Sequence, residues 1–272
     1  MVKEFTDLQG IVGGLYAKEQ GEPEPVWQAI YEHYKPLSME DSIPSTPEGR
    51  ILALADKLDT LRECFRVGLM PSGSKDPFAL RRAAQGAIRI LVEGSVALPF
   101  AEAGELRDFL VDRIRYYFRE VRGFQYDEVN AVLGSGIRDL PDAAARLEAL
   151  HRVRPTEDFE PLAASFKRIA NILRQAGFSE PGAIDESLLE EGPERDLYTD
   201  FDRVRQNTKT CDYLPALEAI ATLRPAVDRF FDKVLVNAPD ERVRRNRLTL
   251  LCNLLTEFSA IADFSEIVPS NT

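Results

Sequence analysis

The apolar residues of this chain recur at intervals of three and four along nearly its whole length. That spacing places them on one face of a helix with 3.6 residues per turn. In 24–35 the stripe is Val26, Trp27, Ile30, Tyr31 and Tyr34. In 47–67 it is Ile51, Leu54, Ala55, Leu58, Leu61 and Phe65, with Thr46 as N-cap, Pro47 at the first helical position, and Gly68 and Pro71 as the stop. A third helix opens at Asp76–Pro77, turns Leu80, Ala84, Ala87, Ile88 and Leu91 inward, and ends at Gly94. Leu106, Leu110, Ile114, Tyr117 and Val121 line one side of a longer helix over 102–122. Further helices are expected over 126–133, 139–150, 159–176 and 194–206, then a long one near 213–236 and a last one over 240–262. No run alternates with a period of two, so the spacing predicts an all-α fold.

The helical pattern breaks at RPTEDFEP (154–161), which divides the chain into two helical domains, 1–154 and 155–272. The segment 177–194, GFSEPGAIDESLLEEGPE, is acidic and rich in Gly and Pro, and reads as an exposed loop free to move. No apolar run approaches the roughly 20 residues needed to cross a bilayer. The opening MVKEFTDLQG has no signal-peptide core, so no membrane partner and a cytoplasmic location are expected. Cys64, Cys211 and Cys252 form no CxxC pair and read as small packed hydrophobes. The formal net charge of -11 argues against binding nucleic acid over the whole surface. A local basic patch is still compatible with it, because such charges act within a Debye length of about 8–10 Å.

Motifs for catalysis are missing. The chain has no GxxxxGK[ST] loop, no GxGxxG after a strand and no HIGH-like or KMSKS-like string, and SGSK at 72–75 is too short for a P-loop. His33 and His151 are the only histidines, and no Ser–His–Asp triad assembles around either. No catalytic residue, no cofactor-binding residue and no metal ligand is assigned.

Longer strings say more. LALADKLDTL (52–61) and GLMPSGSKDPFALRRAAQGAIRIL (68–91), preceded by EFTDLQGIVGGLYA (4–17), resemble the bacterial glycyl-tRNA synthetase β-subunit family. FKRIANIL (166–173) and RNRLTLLCNLLTEFSAIADFSEI (245–267) are similar to its C-terminal region, in the same order and spacing. The resemblance implies the C-terminal part of a longer subunit, cut from an N-terminal portion. It also implies an HD-like helical body domain followed by a DALR-type anticodon-binding helical bundle. The HD-like part looks degenerate: His33 and Asp56 would be its remnants, and too few imidazoles are present for a working metal site, with Asp59 structural or solvated.

What the resemblance implies for function is binding of tRNA-Gly, by anticodon and body. ATP-dependent glycylation would then be carried out on a separate α subunit. ATP and Mg belong to that parent enzyme; the partners would be tRNA-Gly, the α subunit and the remainder of the β subunit. The candidate RNA contacts are those residues where charge and helix geometry agree with this reading. On the helix over 159–176, Lys167, Asn171 and Arg174 share an exposed edge, with Arg168 beside them. Such an edge can hold phosphates, while the amide pairs with an unstacked base. In ERVRRNRL (241–248), Arg244 and Arg245 are further candidates among arginines that equally suit ion pairs with Asp240 or Glu241. Arg81 and Arg82 lie by a polar stripe of Arg81, Gln85 and Arg89, and Arg115, Arg119 and Arg122 form a comparable edge. Solvated helix faces and ion pairs between helices are the competing reading for all of these. At the level of function the alternatives are a metal-dependent HD-type phosphohydrolase, and a helical module that contacts only protein.

Overall fold

The computed structural model describes residues 4–268. Among them the regular structure is helical, apart from one isolated β-bridge between Ser72 and Lys75. The helices are α1 (Val12–Glu19), α2 (Glu24–Glu32), α3 (Pro47–Arg66), α4 (Leu80–Glu93), α5 (Gly104–Tyr116) and α6 (Tyr126–Gly134). They continue as α7 (Leu140–Val153), α8 (Phe159–Ala176), α9 (Pro193–Thr208), α10 (Tyr213–Ala221), α11 (Arg224–Lys233) and α12 (Glu241–Ser259). The chain forms two compact units: the first runs to Gly123 and includes Arg138–Asp142, and the second takes Phe124–Ile137 and everything from Ala143 on. The division expected at 154–155 therefore lies inside the second unit. Arg154 shows why, since its guanidinium sits on the Asp127 carboxylate at 2.7 and 2.8 Å and on the Val268 carbonyl at 3.0 Å.

In the first unit Leu61, Leu80, Ala84 and Leu110 form a core with Phe65 and Phe109 against it, the two rings 5.1 Å apart. Helix α3 starts as its sequence implies, with the Thr46 hydroxyl accepting from the Gly49 amide at 3.1 Å. Its buried face keeps the expected Leu54 and Leu61, with Leu58 and Phe65 packed against the core, and adds Ala53 and Lys57, whereas Ile51 is 63% exposed. A lysine can sit there because its ammonium donates to the His33 and Tyr34 carbonyls, both at 3.3 Å, at the C-terminal end of α2. Burial holds the Lys57 pKa below its usual value, with Asp56 opposing weakly. Gly86 makes the room, since a Cβ there would lie 2.8 Å from Lys57 Cε.

Two expected helices differ in detail. The third begins at Leu80, not at Asp76–Pro77: Ala79 is left-handed at φ 53°, and the Asp76 carboxylate accepts from the Leu80 and Arg81 amides at 2.8 and 3.0 Å. The fourth winds as α-helix only to Tyr116 and continues as a π segment, Tyr117–Val121. The wider turn puts the adjacent Tyr117 and Phe118 in the core while Val121, expected inside, is 42% exposed.

The second unit is built on aromatic packing. Phe166 meets Phe264 at 5.1 Å and Phe258 at 6.3 Å, and Phe201 meets Phe258 at 5.8 Å. The expected helix over 213–236 is two, α10 and α11, broken at Thr222–Leu223. Pro225, the second residue of α11, has no N–H to continue the ladder from α10. The segment 177–194 is tied down. Asn246 of α12 pairs its amide with both backbone groups of Asp185, at 2.9 and 3.0 Å. Asn253 does the same with Gly182, at 3.0 and 2.8 Å. Leu189, in the same segment, is buried.

Candidate nucleic-acid interface

Helix α8 buries Phe159, Leu162, Ala163, Phe166, Ile169 and Leu173, which leaves its polar edge outward. Lys167 is exposed there, Asn171 is half-buried, and the Arg174 guanidinium donates to the Asn171 amide oxygen. Arg168, although exposed, lays its guanidinium over the Phe231 ring of α11 at 4.2 Å. Helix α8 stops where Gly177 adopts φ 61°, and Phe178 follows, half-buried.

Ala176 and Phe178 form one wall of a hollow of about 620 Å³. Its other wall is the start of α12 with Asn237: Glu241, Arg242, Arg244, Arg245 and Leu248, so that one carboxylate stands among three guanidinium groups. Arginines at a helix N-terminus face an unfavourable dipole. Asp240 offsets it, its carboxylate accepting from the Arg242 and Val243 amides at 2.8 and 3.2 Å. Arg244 also meets Glu241 at 3.5 Å and Arg242 meets Asp185 at 3.9 Å, both loose and solvent-exposed pairs. Pairs of that kind contribute little to stability, so the guanidinium groups can exchange them for another anion at small cost. The fourth arginine of the run differs: Arg247 is buried on Glu194 at 2.8 Å and belongs to the core.

The hollow thus unites Arg244 and Arg245 with Arg242, Asn237 and Phe178. The signal for Arg242 was present in the ERVRRNRL run; Phe178 and Asn237, in loops, carry none. Arg81 and Arg82 belong to the first unit. The Arg81 guanidinium donates to the Gly73 carbonyl at 2.7 Å, and Arg82 is exposed. Gln85 and Arg89 do not continue an exposed stripe. Gln85 donates to the Arg113 carbonyl at 3.1 Å, and Arg89 is held by Glu93 at 2.7 Å and the Ser38 carbonyl at 3.0 Å. Arg115 is paired with Asp112 at 3.2 Å and Arg119 with Glu120 at 3.6 Å.

His33 ends α2 and shares its Nδ1 with the Ile30 carbonyl at 2.6 Å, while Asp56 is exposed. Among the described residues no group of three or more His, Cys, Asp or Glu is placed to hold a metal ion. Likewise, no helix among them is long and apolar enough to cross a membrane.

In comparison with known proteins, residues 162–261, the range that contains the basic hollow, match the DALR anticodon binding domain. Residues 1–134 match the glycyl-tRNA synthetase beta subunit family, and the chain belongs to that family. Over 99% of its length it is 49% identical to the glycine–tRNA ligase beta subunit of Acidobacterium capsulatum and 40% identical to that of Geobacter sp. strain M21. A Sulfurihydrogenibium relative of the same name is 38% identical over 98% of the chain. The chain spans about 42% of the length of the first two relatives and 40% of the third.

Proposed function

We propose that this chain is the tRNA-gripping part of a glycine–tRNA ligase and itself performs no chemical step. The observation that carries this reading is the arginine hollow at the start of α12, which lies within the segment matched to the DALR anticodon binding domain. Arg242, Arg244 and Arg245 supply charge for phosphates, Asn237 a donor and an acceptor for a base edge, and Phe178 an aromatic surface for an unstacked base. Lys167, Asn171 and Arg174 extend the contact along α8, with Arg168 fixed on Phe231. Arg81 and Arg82 contact the RNA from the first unit. The ATP- and Mg-dependent activation and transfer of glycine take place on the α subunit, which with the rest of the β subunit is the protein partner, in the cytoplasm. Contacts remote from the reacting centre act by orienting the acceptor end.

The test is a fluorescence-anisotropy titration with tRNA-Gly, competed by the same tRNA carrying a changed anticodon. The expected result is that the altered tRNA competes poorly, and that Arg244→Ala with Arg245→Ala weakens binding about tenfold while leaving helicity unchanged. Equal competition by both tRNAs would remove anticodon reading from the function.

A further inference from the structure

The first unit carries two hollows, of about 520 and 550 Å³, that share Pro36, Leu37 and Arg82 as a common wall. Their chemistry is dissimilar. The smaller is lined by Tyr34 and Phe78, aromatic side chains 38% and 50% exposed, together with Gln9, Asp56, Lys57 and Thr60. The larger is lined by Arg81, Arg82, Arg89 and Arg113, with no carboxylate among the described residues of its wall.

Two of those arginines are already used, Arg89 by Glu93 and Arg81 by the Gly73 carbonyl. Arg82 and Arg113 are not so engaged. Arg113 lies over the Tyr116 ring at 5.7 Å, and its Nε is buried with no hydrogen-bond partner. On the same wall the Oε1 of Gln85, a residue 9% exposed, is also buried without a partner. Buried polar groups left unpaired are costly; the Arg113 Nε calls for an acceptor such as a phosphate oxygen, whereas the Gln85 Oε1 calls for a donor, which a ligand hydroxyl or an ordered water supplies. A guanidinium fork suits a phosphate, because two parallel N–H groups meet two oxygens. Exposed aromatic faces suit a purine or pyrimidine ring, and Asp56 and Gln9 offer acceptors for amino or hydroxyl groups. Each hollow also falls within the few hundred cubic ångströms usual for small-ligand sites.

We propose that the paired hollows of the first unit bind one phosphorylated nucleoside, its phosphate on Arg82 and Arg113 and its base against Tyr34 and Phe78. A free mononucleotide and an unpaired nucleotide of an RNA strand present this same chemistry. The inference rests on the tRNA-binding reading only where RNA is the source; the mononucleotide result is independent of it.

The experiment is a calorimetric titration of the full chain with the four 5′-mononucleotides, their nucleosides, inorganic phosphate and a short unpaired oligoribonucleotide with a 5′-phosphate. The expected result is that a mononucleotide or the oligonucleotide binds at least about tenfold more tightly than nucleoside and inorganic phosphate. Arg82→Gln should weaken that binding about tenfold and Phe78→Ala about fivefold or more, in line with the loss of a charge-assisted contact and of a stacking face. Both positions are exposed, and circular dichroism checks that the helices persist in each variant. Binding by the oligonucleotide alone assigns the site to RNA, and binding by mononucleotides alone assigns it to a free nucleotide. Three results would overturn the proposal: no binding of either, inorganic phosphate matching the nucleotides, or affinity indifferent to both substitutions. Anticodon-dependent tRNA binding is measured separately, so that either reading can fail alone.

Discussion

Arg247 brings a full charge into a place where 4% of its side chain is exposed, and Glu194 beside it is wholly buried. The pair survives because the guanidinium is satisfied on several sides: by Glu194 at 2.8 and 3.0 Å, by Glu190 at 2.9 Å and by the Leu235 carbonyl at 2.9 Å. Burial alone would lower the Arg247 pKa, and the two glutamates outweigh it, holding it above the usual value. Arg247→Ala is expected to cost about 3–5 kcal/mol, because it strands Glu194 without a partner. Combining Arg247→Met with Glu194→Leu should recover much of that loss, since no charge is then left buried. Urea unfolding of the single and double variants measures both; a double variant no better than the single would mean that the pair does more than cancel its own desolvation. None of this was legible in ERVRRNRL, where four arginines look alike. What separates Arg247 from Arg244 and Arg245 is a glutamate 53 residues away in the chain, and helical periodicity says nothing about that.

At the scale of elements, capping decides where helices start, and sequence reads caps only when they are local. Thr46–Pro47 was legible because the capping hydroxyl is three residues from the amide that it serves. Asp76 works from further out, reaching the Leu80 and Arg81 amides across a turn in which Ala79 is left-handed. Asp76→Ala should therefore destabilise the first unit by about 1 kcal/mol. Asp76→Asn should recover part of that, since its amide oxygen can accept from one amide. Thermal unfolding of the two variants makes the comparison, and equal losses would show that the carboxylate charge, not the acceptor geometry, is what α4 needs. The break between α10 and α11 was open to reading, because Pro225 announces it; the apolar stripe running through 213–236 concealed it. Asn246 and Asn253 are seven residues apart on one face of α12 and clamp the segment 177–194. Composition marked that segment as a free loop because composition carries no record of the helix that holds it.

Over the whole molecule, local and global electrostatics oppose each other. The net charge of -11 repels RNA at long range, while in the proposed function the α12 arginines attract it at contact. Their dependence on salt differs, and this makes the conflict measurable. Contact neutralisation of phosphates weakens with salt, by a slope of about -0.7 per phosphate for single-stranded RNA. Three such contacts, on Arg242, Arg244 and Arg245, give a slope near -2 and a loss of about fifteen- to twentyfold between 50 and 200 mM salt. The repulsion from the rest of the surface grows in the other direction, as the Debye length lengthens from about 10 Å at 0.1 M to about 30 Å at 0.01 M. Affinity for tRNA should accordingly rise as salt is lowered towards 0.1 M and then level off or fall, where a basic RNA-binding protein would keep gaining. Anisotropy titrations from 10 to about 300 mM salt would trace this curve. Replacing Arg242, Arg244 and Arg245 by Gln should flatten the high-salt limb by about two in slope and make affinity fall more steeply at low salt, because the contact gain is lost and the chain carries three fewer positive charges. A monotonic gain down to the lowest salt would show that the acidic residues lie too far from the bound RNA to act on it. A flat high-salt limb in the unaltered chain would show that the hollow does not hold phosphates.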